Sequence, residues 1–332
     1  MLRRFKFLAV CLIFLCAVGA SDAFAKRVIK VAMGDPIESD QGALAVRFKQ
    51  NLEGLSNGEI EVQLFPSGSL GDETETLQNV RMGTLDVAFV AVGNILPFVP
   101  EFGGLSYPYL IENHYDAVKA TTGFLGEYWN KIGREKGGFE VLGWTYSNFR
   151  FLTNSARPVN SLEDLKGLKI RVPQNKIILS LYTALGANPI PMAWSETFTA
   201  LQQKVVDGQE NPYIVNYTMK FHEVQKYLTE THYQYSFQPM IIGVNTMKGF
   251  DEKTRDMIIR SGIEAQQYCM LFQVLEAEGA KKGMQEAGVQ VSILKDEDMW
   301  KEIAKTKVWP NFYEFVGGKE VIDMMIQHLG KE

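Results

Sequence analysis

Apolar residues dominate Val28-Ile29-Lys30-Val31-Ala32-Met33, a strand pattern closed by Gly34-Asp35-Pro36. Leu44, Phe48 and Leu52 then recur at a helical period until Ser56-Asn57-Gly58 stops them, and Ile60, Val62 and Leu64 alternate as a second strand. Glu73 to Met82 reads as another helix with Gly83 as its C-terminal punctuation, followed by a strand over Leu85 to Val90. This β-α-β-α-β order predicts an α/β lobe with a largely parallel sheet.

A second sheet system is expected to begin at Phe139-Glu140-Val141-Leu142-Gly143-Trp144, with Arg150-Phe151-Leu152 extended after it. Ser161-Leu162-Glu163-Asp164 resembles a capping box for one short helical turn. Leu168 to Val172 forms a strand closed by Pro173, and helices are expected near Ile177–Leu185 and Glu196–Val206, with Ser195 as the N-cap of the latter. Ile241-Ile242-Gly243-Val244 reads as a strand returning to the first lobe. Asp251 to about Ala287 is helical, either running along both lobes or breaking near Gly262. Trp300, Trp309, Phe312 and Phe315 mark a packed, amphipathic closing region.

The first 25 residues have the tripartite pattern of an export signal. Arg3, Arg4 and Lys6 precede an apolar run from Phe7 to Val18, and Ala23-Phe24-Ala25 supplies a small-x-small cleavage site, placing the cut after Ala25. The run falls short of the roughly 20 apolar residues that span a bilayer. The segment carries three basic residues and one acidic, so its removal takes the net charge from −5 to −7 and leaves Cys269 as the one cysteine. A lone thiol makes no internal disulfide, and in a helical pattern it reads as a small buried apolar side chain. The mature chain is acidic and lacks the basic footprint of a nucleic-acid binder. Its 307 residues exceed the size at which one core stops growing, which predicts two lobes.

The chemistry gathers in Gly167 to Pro212. Along Leu168-Lys169-Ile170-Arg171-Val172 side chains alternate, so Lys169 and Arg171 share the face opposite the apolar one. Arg171 sits at the strand's end, where α/β crevices bind ligands, and its planar fork suits a carboxylate. An exposed arginine paired with a surface acid fits the same pattern. Arg150 lies among Tyr146, Phe149 and Phe151, either as a surface cation–π pair or as a pocket charge. Trp194 reads as core packing or a ligand contact, and Asn211, held extended by Pro212, as a turn residue or an amide facing a ligand. His114, His222, His232 and His328 are too dispersed for a zinc site, so no metal or other cofactor is expected. No nucleophile elbow or phosphate loop appears.

In order along the chain, Leu64-Phe65-Pro66-Ser67-Gly68-Ser69-Leu70-Gly71-Asp72, Gly83-Thr84-Leu85-Asp86, G-L-K-I-R-V-P, A-N-P-x-P-M-x-W-S-E and A-L-Q-x-x-V-V-D-G-Q-E-N-P resemble the substrate-binding proteins of tripartite ATP-independent periplasmic (TRAP) transporters, of the DctP-like family. The resemblance covers most of the mature chain. It implies a two-lobed α/β periplasmic binding protein (type II-like) whose lobes are joined by crossing strands and a long helix, with the ligand cleft between them. The expected division is residues 26–147 and 237–276 for the first lobe, and 148–236 and 277–332 for the second.

It further implies a non-enzymatic receptor that hands an organic acid to small and large membrane subunits. Arg171 would be the carboxylate clamp, joined by Asn211, Trp194 and Arg150, with Tyr213 and Gln234 as further candidate ligand-binding residues. Relatives that bind sialic acid carry a glutamate after the strand that follows the Gly83–Asp86 motif. Here that region reads Phe89-Val90-Ala91-Val92, which argues against a sialate. The surrounding Tyr146, Phe149, Tyr213, Tyr235 and Phe237 favour a smaller or partly apolar carboxylate. The rival reading is a periplasmic lyase or hydrolase, with Glu196, Asp207 and Glu210 as its possible acids.

Overall fold

The structure, a computed structural model, describes residues 26–331. The expected export signal and its cleavage point lie outside the described residues. Among the described residues, eleven strands form two sheets. The first is ordered β2-β1-β3-β10-β4, from β1 (Arg27–Ala32), β2 (Ile60–Phe65), β3 (Val87–Phe89), β4 (Phe139–Phe149) and β10 (Tyr235–Gly243). The second is ordered β11-β9-β5-β8-β6-β7, from β5 (Phe151–Asn154), β6 (Lys169–Val172), β7 (Asn188–Pro191), β8 (Gly208–Asn211), β9 (Tyr227–Glu230) and β11 (Gln290–Ile293).

The β1–β3 unit has the predicted topology. Its strands pair in parallel, crossing over through α1 (Asp40–Leu55) and α2 (Glu73–Met82). Ser39 caps α1 and Asp72 caps α2 with side-chain oxygens, and Gly83 ends α2 in the left-handed region. β10 then enters antiparallel beside β3, as its return to the first lobe required.

One expectation is overturned. The strand at Phe139 does not begin the second sheet but forms an edge of the first, paired with β10 from Phe139↔Gly243 to Phe149↔Tyr235. A strand's own pattern does not name its partner. The chain first changes sheets at Arg150, between β4 and β5, returns between β9 and β10, and crosses a third time between β10 and β11. The first two crossing segments bond each other, Arg150 N donating to the Gln234 carbonyl at 3.0 Å and Thr231 Oγ1 to the Arg150 carbonyl at 2.9 Å.

In the second sheet, α3 (Lys176–Ala184) and α4 (Tyr213–Thr218) follow β6 and β8. α5 (Glu252–Glu286) is a single unbroken helix of 35 residues, packed on α1, β4 and α4. Gly262 does not break it. A Cβ there would stand 2.3 Å from the Leu142 carbonyl oxygen, so glycine is what lets the helix lie against β4. Cys269 is buried on the same face, as expected. Trp300 and Trp309 are buried in the closing region, and α6 (Lys319–Leu329) packs back near residues 100–121 of the first half of the chain. Among the described residues, no helix is long and apolar enough to cross a membrane.

Candidate functional site

Two walls face each other where β1 and β6 end. Arg171, on β6, is 2 % exposed. Its neighbour on the same face, Lys169, lies in solvent. The difference comes from what covers the strand's end, since Trp194 stacks over the Arg171 guanidinium at 5.4 Å. Arg171 donates from Nε (3.2 Å) and Nη2 (2.7 Å) to the Met192 carbonyl, and among the described residues Nη1 has no hydrogen-bond partner. Burial, together with the like charge of Arg150, holds its pKa down to about 10, against the pull of Glu210 and Glu73. An ionised guanidinium so placed carries a cost of about 3 kcal/mol, which an arriving anion would offset.

Arg150 is also buried, but its charge is already matched. Glu210 takes a bond from its Nε and, through Oε1, a second from Nη2 at 3.1 Å. The Glu210 carbonyl accepts from Nη2 at 2.8 Å, and Nη1 reaches Ser236 Oγ at 3.1 Å. Burial would lower its pKa, but Glu210 overrides this and raises it.

The opposite wall holds acids that sequence reasoning passed over. Asp35, after β1, is fully buried and accepts from Trp194 Nε1 at 2.8 Å. Its Oδ2 is buried with no partner among the described residues. Burial raises its pKa well above the carboxylate range, with Asp40 and Glu73 adding to the rise. Glu73, in the first turn of α2, accepts from Ala91 N and Asn94 Nδ2, both at 2.7 Å. Burial raises its pKa despite these bonds and the nearby Arg171 and Arg150. So although residue 91 is alanine, an acid does approach this region from α2.

The walls touch. A Cβ on Gly34 would stand 3.0 Å from Trp194 Cδ1, so glycine permits the contact. Asn175 Nδ2 donates to Ser106 Oγ at 3.1 Å farther along the seam. A cavity of about 340 Å³ is lined by Gly34, Pro36, Glu73, Trp194 and Met219. A second, of about 10 Å³, lies between Glu73, Asn94, Gln174 and Trp194.

The remaining candidates divide. Asn211 ends β8, buried, with Nδ2 on Gln209 Oε1 at 2.6 Å. Gln234 sits on the crossing segment, where its carbonyl is used by Arg150 N. Tyr213 is turned to a different partner, its hydroxyl donating to Glu230 Oε1 at 2.8 Å beside the Lys281–Glu230 ion pair. Tyr146, Phe149, Tyr235 and Phe237 are packed ring against ring with His114 and Trp144 in the core. Ser195 does not cap a helix. It lies inside a 3-10 turn, Trp194–Glu196, that runs on into the helix Thr197–Gln202. The possible enzyme acids also have structural duties: Glu196 is exposed in that turn, Asp207 accepts from Lys169 N at 2.8 Å, and Glu210 holds Arg150.

A profile of the bacterial extracellular solute-binding proteins of family 7 matches residues 32–314. The chain belongs to this family, the DctP-like receptors of TRAP transporters. Among family relatives, the chain is 34 % identical over 253 residues to the 2,3-diketo-L-gulonate-binding periplasmic protein of Escherichia coli K12, 76 % of each chain. Solved structures agree with its two-lobed architecture. The sugar acid binding protein of Advenella mimigardefordensis in complex with galactonate matches with a TM-score of 0.88 at 29 % identity, over 92 % of this chain and 98 % of that one. A TRAP periplasmic solute-binding protein of Rhodobacter sphaeroides in an open apo form is more similar in sequence, at 36 %, over 92 % and 99 % of the two chains. Its TM-score is nevertheless lower, 0.76.

Proposed function

We propose that this receptor captures an organic acid between its lobes in the periplasm and passes it unchanged to the small and large membrane subunits of a TRAP transporter. The observation that carries the proposal is Arg171, a buried guanidinium with one terminal nitrogen unused by the protein and an acid wall across the seam. The carboxylate of the ligand takes Arg171, Trp194 covers it, and Asn211 and Gln234 border the same space. Arg150, neutralised by Glu210, braces the site rather than binding the acid directly, and Tyr213 supports the wall from behind.

The galactonate and diketogulonate named for relatives carry several hydroxyls. Buried Glu73 and Asp35 suit hydroxyl donors, which favours a hydroxylated monocarboxylate over an apolar one. The lobes are residues 26–147 with 237–276, and 148–236 with 277–332. They close about the paired crossing segments at Arg150 and Gln234, a hinge motion. Export through the first 25 residues, cut after Ala25, brings the chain to the periplasm.

Calorimetry tests the reading. The wild-type chain should bind galactonate or another sugar acid, Arg171→Ala should bind it at least about 30-fold more weakly, and Arg171→Lys should recover part of the loss. Near-wild-type affinity in Arg171→Ala sinks the clamp assignment. Chemical conversion of the bound acid would instead favour the enzyme.

A further inference from the structure

The outer face of α5 remains without a role in ligand capture. Leu271, Val274 and Leu275 are 57 %, 60 % and 66 % exposed, and Ile263 is 50 % exposed. These are large apolar side chains on the side of the helix away from buried Ile258, Gly262, Ala265 and Cys269. At 3.6 residues per turn, Arg260, Ile263, Gln267, Leu271, Val274 and Glu278 fall along one stripe. Between Arg260, which also reaches Glu264 of its own helix at 3.7 Å, and Glu278 the stripe is apolar apart from Gln267.

We infer that this stripe pairs with the same stripe of a second copy of the chain, antiparallel, about a two-fold axis at the level of Cys269. A two-fold interface must be complementary to itself, so each residue meets its mirror position counted from the axis. Arg260 lies nine residues before Cys269 and Glu278 nine after it, so the pair forms twice. Ile263, six before, falls across from Val274, five after, and Leu271, two after, falls across from Gln267, two before, with its own copy about one turn along. Sliding the partner by one turn sets Arg260 against Val274 and Asp256 against Glu278, two like charges. That selects one register.

A cavity of about 250 Å³ lined by Ile37, Ala43, Val46, Tyr268 and Phe272 flanks the same level and offers room for the partner's Leu271. From Arg260 to Glu278 the stripe is about 27 Å long, the small end of specific interfaces, so the dimer should form reversibly with concentration.

The test is sedimentation of the mature chain across a concentration series from nanomolar to submillimolar. The expected result is a monomer–dimer equilibrium in which Arg260→Glu and Glu278→Arg each weaken association by about tenfold, while the double variant restores it. Both residues are exposed, and acid binding by every variant should equal that of the wild type, which separates this result from any failure of the cleft. With Leu271→Cys, a short bifunctional thiol cross-linker should trap a covalent dimer, since Cys269 is buried. A monomer at every concentration overturns the inference, and so does a dimer indifferent to both single charge reversals. Association only with the membrane subunits of the transporter, through this face, overturns it equally.

Discussion

Two buried arginines, Arg150 and Arg171, stand close enough to influence each other's ionisation, yet they have opposite situations. Arg150 is enclosed by a carboxylate, a carbonyl and a hydroxyl, whereas Arg171, among the described residues, bonds only the Met192 carbonyl. Glu210 makes the difference. It converts one guanidinium into a structural strut between β5 and β8 and leaves the other under-neutralised. Burial alone therefore does not distinguish the two arginines; the missing matching charge does.

The largest effect should come from removing the difference. Glu210→Gln leaves Arg150 buried and uncompensated, and urea unfolding should show a loss of about 3–5 kcal/mol, as for other broken buried pairs. If stability is unchanged, Arg150 is not the strut described. Next, Arg171→Ala should cost about 2–5 kcal/mol in acid affinity with little change in unfolding midpoint, the reverse profile. Trp194→Phe keeps the ring over Arg171 but removes the bond to Asp35. Affinity should fall by about 1 kcal/mol, and titration calorimetry would detect it.

The smallest effect is a slope. Asp35, Asp40 and Glu73 all have raised pKa values in the folded chain, so above about pH 4 the folded state holds protons that the unfolded state has released. Stability should therefore fall as pH rises from there through the raised values. Asp35→Asn should flatten that fall, and thermal melts across pH would show whether it does.

How much of this was legible beforehand depended on distance in sequence. Arg171 was readable because alternation on a four-residue strand and a closing proline are local facts. Asp35 and Glu73 were not. Each already has a sufficient local reading, one in a Gly-Asp-Pro turn and the other in the first turn of a helix. The bond that gives Asp35 its place comes from Trp194, 159 residues away. The edge position of β4 was hidden for the same reason, since its partner β10 arrives about a hundred residues later. Arg150 was singled out by its aromatic setting, but its partner Glu210 looked like part of a turn. Only the pairing of β5 with β8, which sets Leu152 against Glu210, reveals that strut.

The long helix α5 has a mechanical consequence. It touches β4 and α1 along its first half and α4 near its far end, so it is a spar clamped to elements of both sheets. A tilt of a few degrees at one clamp becomes several ångströms at the far tip of a rod about 50 Å long. Under the proposed closure, any bearing on that spar would sense the two halves moving without touching the bound acid.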